Sequence, residues 1–319
     1  MNPIICIAGP TASGKTALAV ALARELDGEV VSCDSMQVYK YMDIGTAKPT
    51  VEEMQGIPHH MLSVAEPEEE FSVSRYCQMA TPIVEDILSR GKAAIIAGGT
   101  GLYMDSLIRG NAFAPFPSTG VREQLEAQAD RDGMPAMLDW LRSIDPECAA
   151  RLHLSDRKRI IRALEVYLET GETITAHNRK TQQIPPRFSP VWLGIDFASR
   201  SDLYHRIDRR VDMMLQQGLV EEIQRLLQRG IPRKCTAMQA IGYKEFLDAM
   251  DGLCTLEEAA EQVAKSSRHY AKRQLTWFRR QIDGLWIDLS LTDKETALAD
   301  MVDYVKQCGI SLPEESGEA

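Results

Sequence analysis

The sequence predicts an α/β fold: a parallel sheet flanked by helices, with an inserted all-helical module. Three observations predict it. Short apolar runs at residues 4–7, 29–33, 93–97 and 191–195 have the length and composition of buried strands, with helical spacing between them. The first run enters a glycine-rich loop that opens a helix. From about residue 119 to 180 the pattern turns almost wholly helical.

The loop after the first strand reads Gly9, Pro10, Thr11, Ala12, Ser13, Gly14, Lys15, Thr16, which matches G-x-x-x-x-G-K-[ST], the phosphate-binding P-loop. Leu18, Leu22 and Leu26 follow at helical spacing. Strand, glycine-rich turn and helix N-terminus together aim backbone N–H groups at an anion. Lys15 adds a full positive charge, and the Thr16 hydroxyl faces a Mg²⁺. The sheet is therefore expected to be P-loop nucleoside-triphosphate-hydrolase-like, and the protein to handle a di- or triphosphate.

A chain of 319 residues exceeds the size at which one core stops growing, which predicts a main domain plus a second module. The net charge of -10 argues against indiscriminate nucleic-acid binding, although it leaves room for a local basic track. Seven cysteines are scattered singly with no C-x-x-C, so neither a zinc site nor a disulfide framework is indicated. A reducing cytoplasm is the simple expectation. The N-terminus lacks the basic start of a signal peptide, and no apolar run is long enough to span a bilayer. A monomer without a membrane partner is expected.

In chain order, the second strand ends at Asp34. Ligands gather outside the carboxyl ends of strands in open α/β sheets, so Asp34 and Ser35 fall near the phosphates. Asp34 there is a metal-holding acid, a general base, or an Asx turn closing the strand. Residues 36–58 read as loop. His59 and His60 are adjacent and do not face the same way, which disfavours a two-His metal site and favours a structural or substrate-shaping role. Residues 66–70 read as a solvated acidic turn. Residues 74–90 carry Tyr76, Met79, Ile83 and Ile87 at helical spacing and stop at Gly91. The third strand runs into Gly98, Gly99, Thr100 and Gly101, which permit close backbone approach to a ligand. Thr100 is both a hydroxyl in the Asp34 region and an N-cap.

The proline-rich stretch 114–118 marks a boundary, giving a first core segment 1–114, a helical insertion 115–185 expected to bind RNA, a return 186–312, and an acidic disordered tail 313–319. In the insertion, Ser155 is expected to cap a helix over 156–170 that ends at Gly171. Its apolar stripe is Ile160, Ile161, Leu164, Tyr167 and Leu168, with Lys158, Arg159 and Arg162 opposite. After the fourth strand, Ser201 or Asp202 is expected to cap a helix with Leu203, Ile207, Val211 and Met214. Arg206 and Arg210 lie one turn apart on it, as an arginine that neutralises a departing phosphate would. Thr255 and Glu258 form a capping box for the longest helix, to about Ile282. Its apolar stripe is Ala260, Val263, Tyr270, Ala271 and Phe278, and Lys265, Arg268, Lys272 and Arg279 line another face. A last strand covers 284–288.

Four motifs in order, GPTASGKT at 9–16, DSMQVYKYMDIGTAKP at 34–49, GGTGLY at 98–103 and AKRQLTWFRR at 271–280, joined by MQAIGYKE at 238–245, resemble those of the tRNA dimethylallyltransferases, or tRNA isopentenyltransferases. The resemblance covers nearly the whole chain. It implies transfer of a dimethylallyl group from dimethylallyl diphosphate to the exocyclic amine of the adenosine just 3′ of the tRNA anticodon, with Mg²⁺ as cofactor. It further implies that the P-loop cradles the donor's pyrophosphate rather than ATP, with Asp34 as base, Thr100 as its hydroxyl partner, Lys15 in catalysis and Arg210 near the diphosphate. By the same resemblance Asp34, Ser35, Met36, Gln37, Thr100, Arg122, Lys158, Arg159, Ile160, Ile161, Arg162, Gln239, Ala240, Ile241, Gly242, Tyr243 and Lys244 contact tRNA. No Cys/His spacing of a zinc finger occurs, so the likeness is to bacterial members. Two rivals are a small-molecule P-loop kinase, which would need no RNA, and a non-catalytic nucleotide-gated RNA-binding module, for which Asp34 would be dispensable.

Overall fold

A computed structural model describes residues 2–110 and 119–310. The expected linker at 114–118 and acidic tail at 313–319 lie outside the described residues. The chain divides into two compact units, one built from the residues up to Gly110 together with those from Arg187 onward, the other from the residues between.

The first unit is organised by a sheet of six strands in which every pair is parallel: β1 (Asn2–Ala8), β2 (Gly28–Cys33), β3 (His59–His60), β4 (Ala93–Gly98), β5 (Phe188–Asp196) and β6 (Leu285–Asp288). Their order is β3-β2-β4-β1-β5-β6. β1 is central, with Ile5 opposite Ile95 on one side and Val191 on the other. Because both faces of a parallel sheet are covered, its strands read as continuous apolar runs rather than alternations. That is why β1, β2, β4 and β5 were visible in the sequence.

Helix α1 (Lys15–Glu25) follows the P-loop and buries Leu18, Ala19, Leu22 and Ala23 in the core. The long loop after β2 contains a single turn, α2 (Val51–Met54), closed by a Thr50–Glu53 capping box. In α3 (Val73–Ser89) the N-cap is Ser72, and Tyr76 and Ile87 are buried as expected, while Met79 and Ile83 are only half-buried because Cys77, Ala80 and Val84 take the centre of the face. The acidic turn before it is paired rather than merely solvated: Lys40 meets Glu66 at 2.6 Å and Arg75 meets Glu69 at 2.5 Å. α4 (Gly101–Arg109) follows β4.

Among its described residues the regular structure of the second unit is helical: α5 (Val121–Ile144), α6 (Pro146–Ala149), α7 (Arg157–Thr170) and α8 (Ile174–Gln183). Its core joins Leu125, Leu138 and Leu141 of α5 to Ile160, Ile161 and Leu164 of α7. α7 ends at Gly171 as expected, but Asp156, not Ser155, holds its N-cap position, and the Ser155 hydroxyl bonds the His153 ring instead. Val166 is buried and Leu168 is 47% exposed, so the apolar stripe turns away from Leu168 at the last turn.

The return to the first unit adds α9 (Arg200–Gln216), α10 (Leu219–Gln228), α11 (Lys244–Met250), α12 (Leu256–Gln281) and α13 (Lys294–Gln307). Ser199, rather than Ser201 or Asp202, caps α9 by accepting from the Asp202 N–H, and Leu203, Ile207, Val211 and Met214 are buried as their spacing required. α12 carries the expected Thr255–Glu258 capping box and buries Val263, Ala271, Leu275 and Phe278, with Ala260 and Tyr270 half-buried. No helix among the described residues is long and apolar enough to cross a membrane.

Candidate active site

The carboxyl ends of β1, β2 and β4 lie side by side, with Ala8 registered on Gly98 and Cys33 on Gly98 from the other side. The P-loop leaves β1 there. Gly14 sits at φ 88° in the left-handed region, where a side chain would be strained, and hands the chain to the α1 N-terminus. A cavity of about 540 Å³ opens at this point, lined by Thr11 to Ala17, by Asp34 and Gln37, by Thr46 to Lys48, and by Arg210, Tyr270 and Gln274.

Two cations compete within it. Lys15 Nζ donates to the Pro10 carbonyl at 2.6 Å and to Ser13 Oγ at 3.3 Å. Burial pushes Lys15 down to about 7, Arg210 adds to the fall, and Asp34 opposes it. The Arg210 guanidinium donates to Thr11 Oγ1 at 3.2 Å, and burial lowers it too, against the pull of Asp34 and Glu53. One turn earlier, Arg206 Nε donates to the Ala12 carbonyl at 2.9 Å. α9 thus brings both arginines to the P-loop, a return that the sequence by itself does not show. A site that depresses both of its buried cations is short of negative charge, which a diphosphate would supply.

Asp34 closes β2 as an Asx turn: its Oδ1 accepts the Met36 N–H at 2.8 Å and the Gln37 N–H at 3.3 Å. Among the described residues Oδ2 accepts no hydrogen bond, so one oxygen shapes the turn and the other is available to take a proton. Thr100 occupies the N-cap position of α4 without capping it; its Oγ1 accepts the Ser35 N–H at 3.1 Å. Tyr270 of α12 lines the cavity and is pushed up to about 12 by burial and then by the Asp34 charge, which keeps its hydroxyl neutral.

A second cavity, of about 280 Å³, shares Thr11, Asp34, Thr46, Ala47, Arg210, Met214 and Tyr270 with the first. It adds Ser35 and Met36, the turn Gln239 to Ile241, and Arg273. Asp34 thus lines the P-loop cavity on one side and the cavity of the 239–241 turn on the other.

Several expected contact residues are placed elsewhere. Tyr243 is fully buried, with its hydroxyl on Glu222, and Gly242 and Ala240 are buried beside it; of that segment Gln239 and Lys244 are exposed and Ile241 half-buried. Ile160 and Ile161 are core residues of the second unit, so their side chains do not face a ligand. Within that unit Arg122 and Arg162 both meet Glu165, at 2.8 and 2.7 Å, whereas Lys158 and Arg159 are exposed. On α12 Arg268 pairs with Asp208 and Arg279 with Asp196, while Lys265 and Lys272 of that stripe are exposed and outside those ion pairs.

Gln274 is a site residue that the sequence reasoning missed. It is 5% exposed, accepts the Thr11 N–H at 2.8 Å and donates to the Gly99 carbonyl at 2.9 Å. The signal was a polar residue set between Ala271, Leu275 and Phe278 on the buried stripe. For Mg²⁺, hard oxygen donors are present in Thr16 and Asp34, both on the cavity wall, while no group of three His, Cys, Asp or Glu that could hold a metal occurs among the described residues. The set fits an ion that keeps most of its shell from phosphate oxygens and water.

Residues 37–281 match the family model described as IPP transferase. The chain is 49% identical over 278 residues to a tRNA dimethylallyltransferase of Thermoanaerobacter sp. (strain X514), covering 86% of this chain and 88% of the relative. It is 43% identical over 314 residues to that of Acetivibrio thermocellus, covering 98% and 100%. Among solved structures, the full-length tRNA isopentenylpyrophosphate transferase of Bacillus halodurans superposes with a TM-score of 0.73 at 42% identity, covering 96% of each chain. A eukaryotic dimethylallyltransferase acting on tRNA superposes with a TM-score of 0.83 at 30% identity, covering 99% of this chain and 82% of that one.

Proposed function

The chain belongs to the IPP transferase family and is a transferase that modifies tRNA with a dimethylallyl group, and from that premise we propose how its residues do so. The donor is dimethylallyl diphosphate, its diphosphate seated on the P-loop against Lys15 and Arg210. The acceptor is the exocyclic amine of the adenosine 3′ of the anticodon, presented from the second cavity after leaving its stack. The observation that carries this reading is Asp34, which lines both cavities and keeps Oδ2 without a hydrogen bond among the described residues.

An aryl amine is a weak nucleophile. As its nitrogen bonds to the allylic carbon, the carbon–oxygen bond to diphosphate breaks and Oδ2 of Asp34 takes the proton. Lys15, Arg210 and the P-loop N–H groups stabilise the charge gathering on the leaving diphosphate. When bound, Mg²⁺ held by the Thr16 hydroxyl would neutralise part of the same charge. Thr100 keeps the Asp34–Ser35 turn in place by accepting the Ser35 N–H.

Lys158 and Arg159, with Lys265 and Lys272, serve as tRNA-backbone contacts on an otherwise acidic protein. The enzyme acts as a cytoplasmic monomer. The deciding experiment is pyrophosphate release from dimethylallyl diphosphate with and without unmodified tRNA: release that requires tRNA supports the reading, and release or ATP turnover without tRNA defeats it.

A further inference from the structure

The loop that brings Thr46 and Ala47 to the cavity wall is held from behind by one buried carboxylate. Glu222 of α10 is 3% exposed. Its Oε2 accepts the N–H groups of Asp43 and Ile44, both at 2.8 Å. Its Oε1 accepts the Gly45 N–H at 3.2 Å and the Tyr243 hydroxyl at 2.7 Å. A Cβ on Gly45 would collide with the Tyr243 ring, so the loop lies flat against that turn. Four donors on two oxygens suit a carboxylate; an amide would turn an NH₂ group toward them.

From this anchor the hydrogen bonds continue. The carbonyls of Thr46 and Ala47 accept from Gln37 Nε2 at 3.3 and 3.1 Å, Ser32 Oγ donates to Gln37 Oε1 at 2.9 Å, and the Gln37 N–H donates to Asp34 Oδ1 at 3.3 Å. Burying a carboxylate is costly, and an apolar residue at 222 would leave three backbone donors unpaired. We infer that Glu222 is a positioning residue for the transfer reaction, fixing the Asp34 carboxylate through the loop 43–47 and Gln37. The inference rests on the proposed role of Asp34 as base.

The test is single-turnover transfer at saturating dimethylallyl diphosphate and unmodified tRNA, for wild type, Glu222→Gln, Gln37→Met, Asp34→Asn and the double variants with Asp34→Asn. Glu222→Gln is expected to slow the chemical step by about 10–100-fold, as loss of a supporting hydrogen-bond partner does elsewhere. In the Asp34→Asn background the same change is expected to cost less than about twofold more, because residues acting as one unit are not additive. If Glu222→Gln does not fold, Gln37→Met carries the test, since it cuts the chain beyond the Glu222 cradle; it is expected to show the same loss and the same non-additivity. Additive losses, or single-variant rates within about threefold of wild type, overturn the inference. A wild type that transfers nothing overturns the functional reading on which it rests, a result distinct from either.

Discussion

The side-chain oxygen of Gln274 accepts a hydrogen bond from the Thr11 N–H at 2.8 Å across 263 positions of sequence. The same amide donates to the Gly99 carbonyl, so one side chain of α12 ties the P-loop to the turn after β4. Gln274→Leu keeps the volume and strands a buried donor and a buried acceptor. Each should cost about 1–3 kcal/mol, giving roughly 2–6 kcal/mol in denaturant unfolding and weaker pyrophosphate binding. A loss under about 0.5 kcal/mol would show that water replaces the amide freely.

Lys15 makes diphosphate binding pH-dependent. Its pKa near 7 in the free site must rise when an anion arrives, because the anion favours the charged form. Below pH 7 the lysine is already protonated and contributes no pH dependence. Above it, binding takes up a proton, and the Kd for pyrophosphate should rise by up to about tenfold per pH unit from this group. Lys15→Arg does not titrate there and should lose that slope. Calorimetry in buffers of different ionisation enthalpy checks it: an equal slope in both proteins assigns the effect to the ligand alone.

The basic face of α7 is narrower than its composition suggests, since Arg162 is engaged with Glu165. Lys158→Glu and Arg159→Glu should each reduce the log–log salt slope of tRNA affinity by about one unit while pyrophosphate affinity stays constant. Neither change touches the core formed by Ile160 and Ile161. An unchanged slope would mean that these side chains are only a solvated face.

Glu29 gives the fold an acid-sensitive anchor. It is buried at 4% exposure, with Arg90 at 2.5 Å and His60 at 2.7 Å, and the Arg90 hydrogen bond leads in holding it down at about 2 against an ordinary 4.5. A carboxyl depressed in the folded state stabilises above its unfolded pKa, and the benefit is lost as pH falls from about 4.5 to 2. Up to ~3 kcal/mol of stability should disappear over that window in wild type and be missing at neutral pH in Glu29→Gln. Parallel stability–pH curves for the two proteins would contradict it.

The anchor also explains what the sequence left hidden. The four long strands were legible because burial on both faces writes them as apolar runs. β3 is two histidines, and it pairs with β2 through Val30–His59 and Val31–His60 registers that no local pattern announces. The P-loop and Asp34 were legible because spacing puts them at strand ends, whereas the place of Arg210 near the diphosphate came from the family resemblance, since helical spacing does not show that its helix returns. Glu222 and Gln274 were not, since their partners lie far away in sequence and their own windows look like ordinary amphipathic helix. Tyr243 shows the reverse case, a polar aromatic in an expected contact motif whose side chain is buried against Glu222. α13 was within reach: Asp293 caps it, and Ala297, Met301 and Val305 recur every four residues on its buried face.

The central claim is that Asp34 takes the proton from the acceptor amine, and Asp34→Asn tests it most directly. The substitution keeps the Oδ1 acceptor of the Asx turn and removes the charge and the proton acceptor at Oδ2. Single-turnover transfer to unmodified tRNA, at saturating dimethylallyl diphosphate and across a Mg²⁺ titration, should be slowed by roughly 10²–10⁴ at every Mg²⁺ concentration, with both substrates still bound. Recovery of most of the rate at high Mg²⁺ would make Asp34 a metal-holding acid and contradict the account.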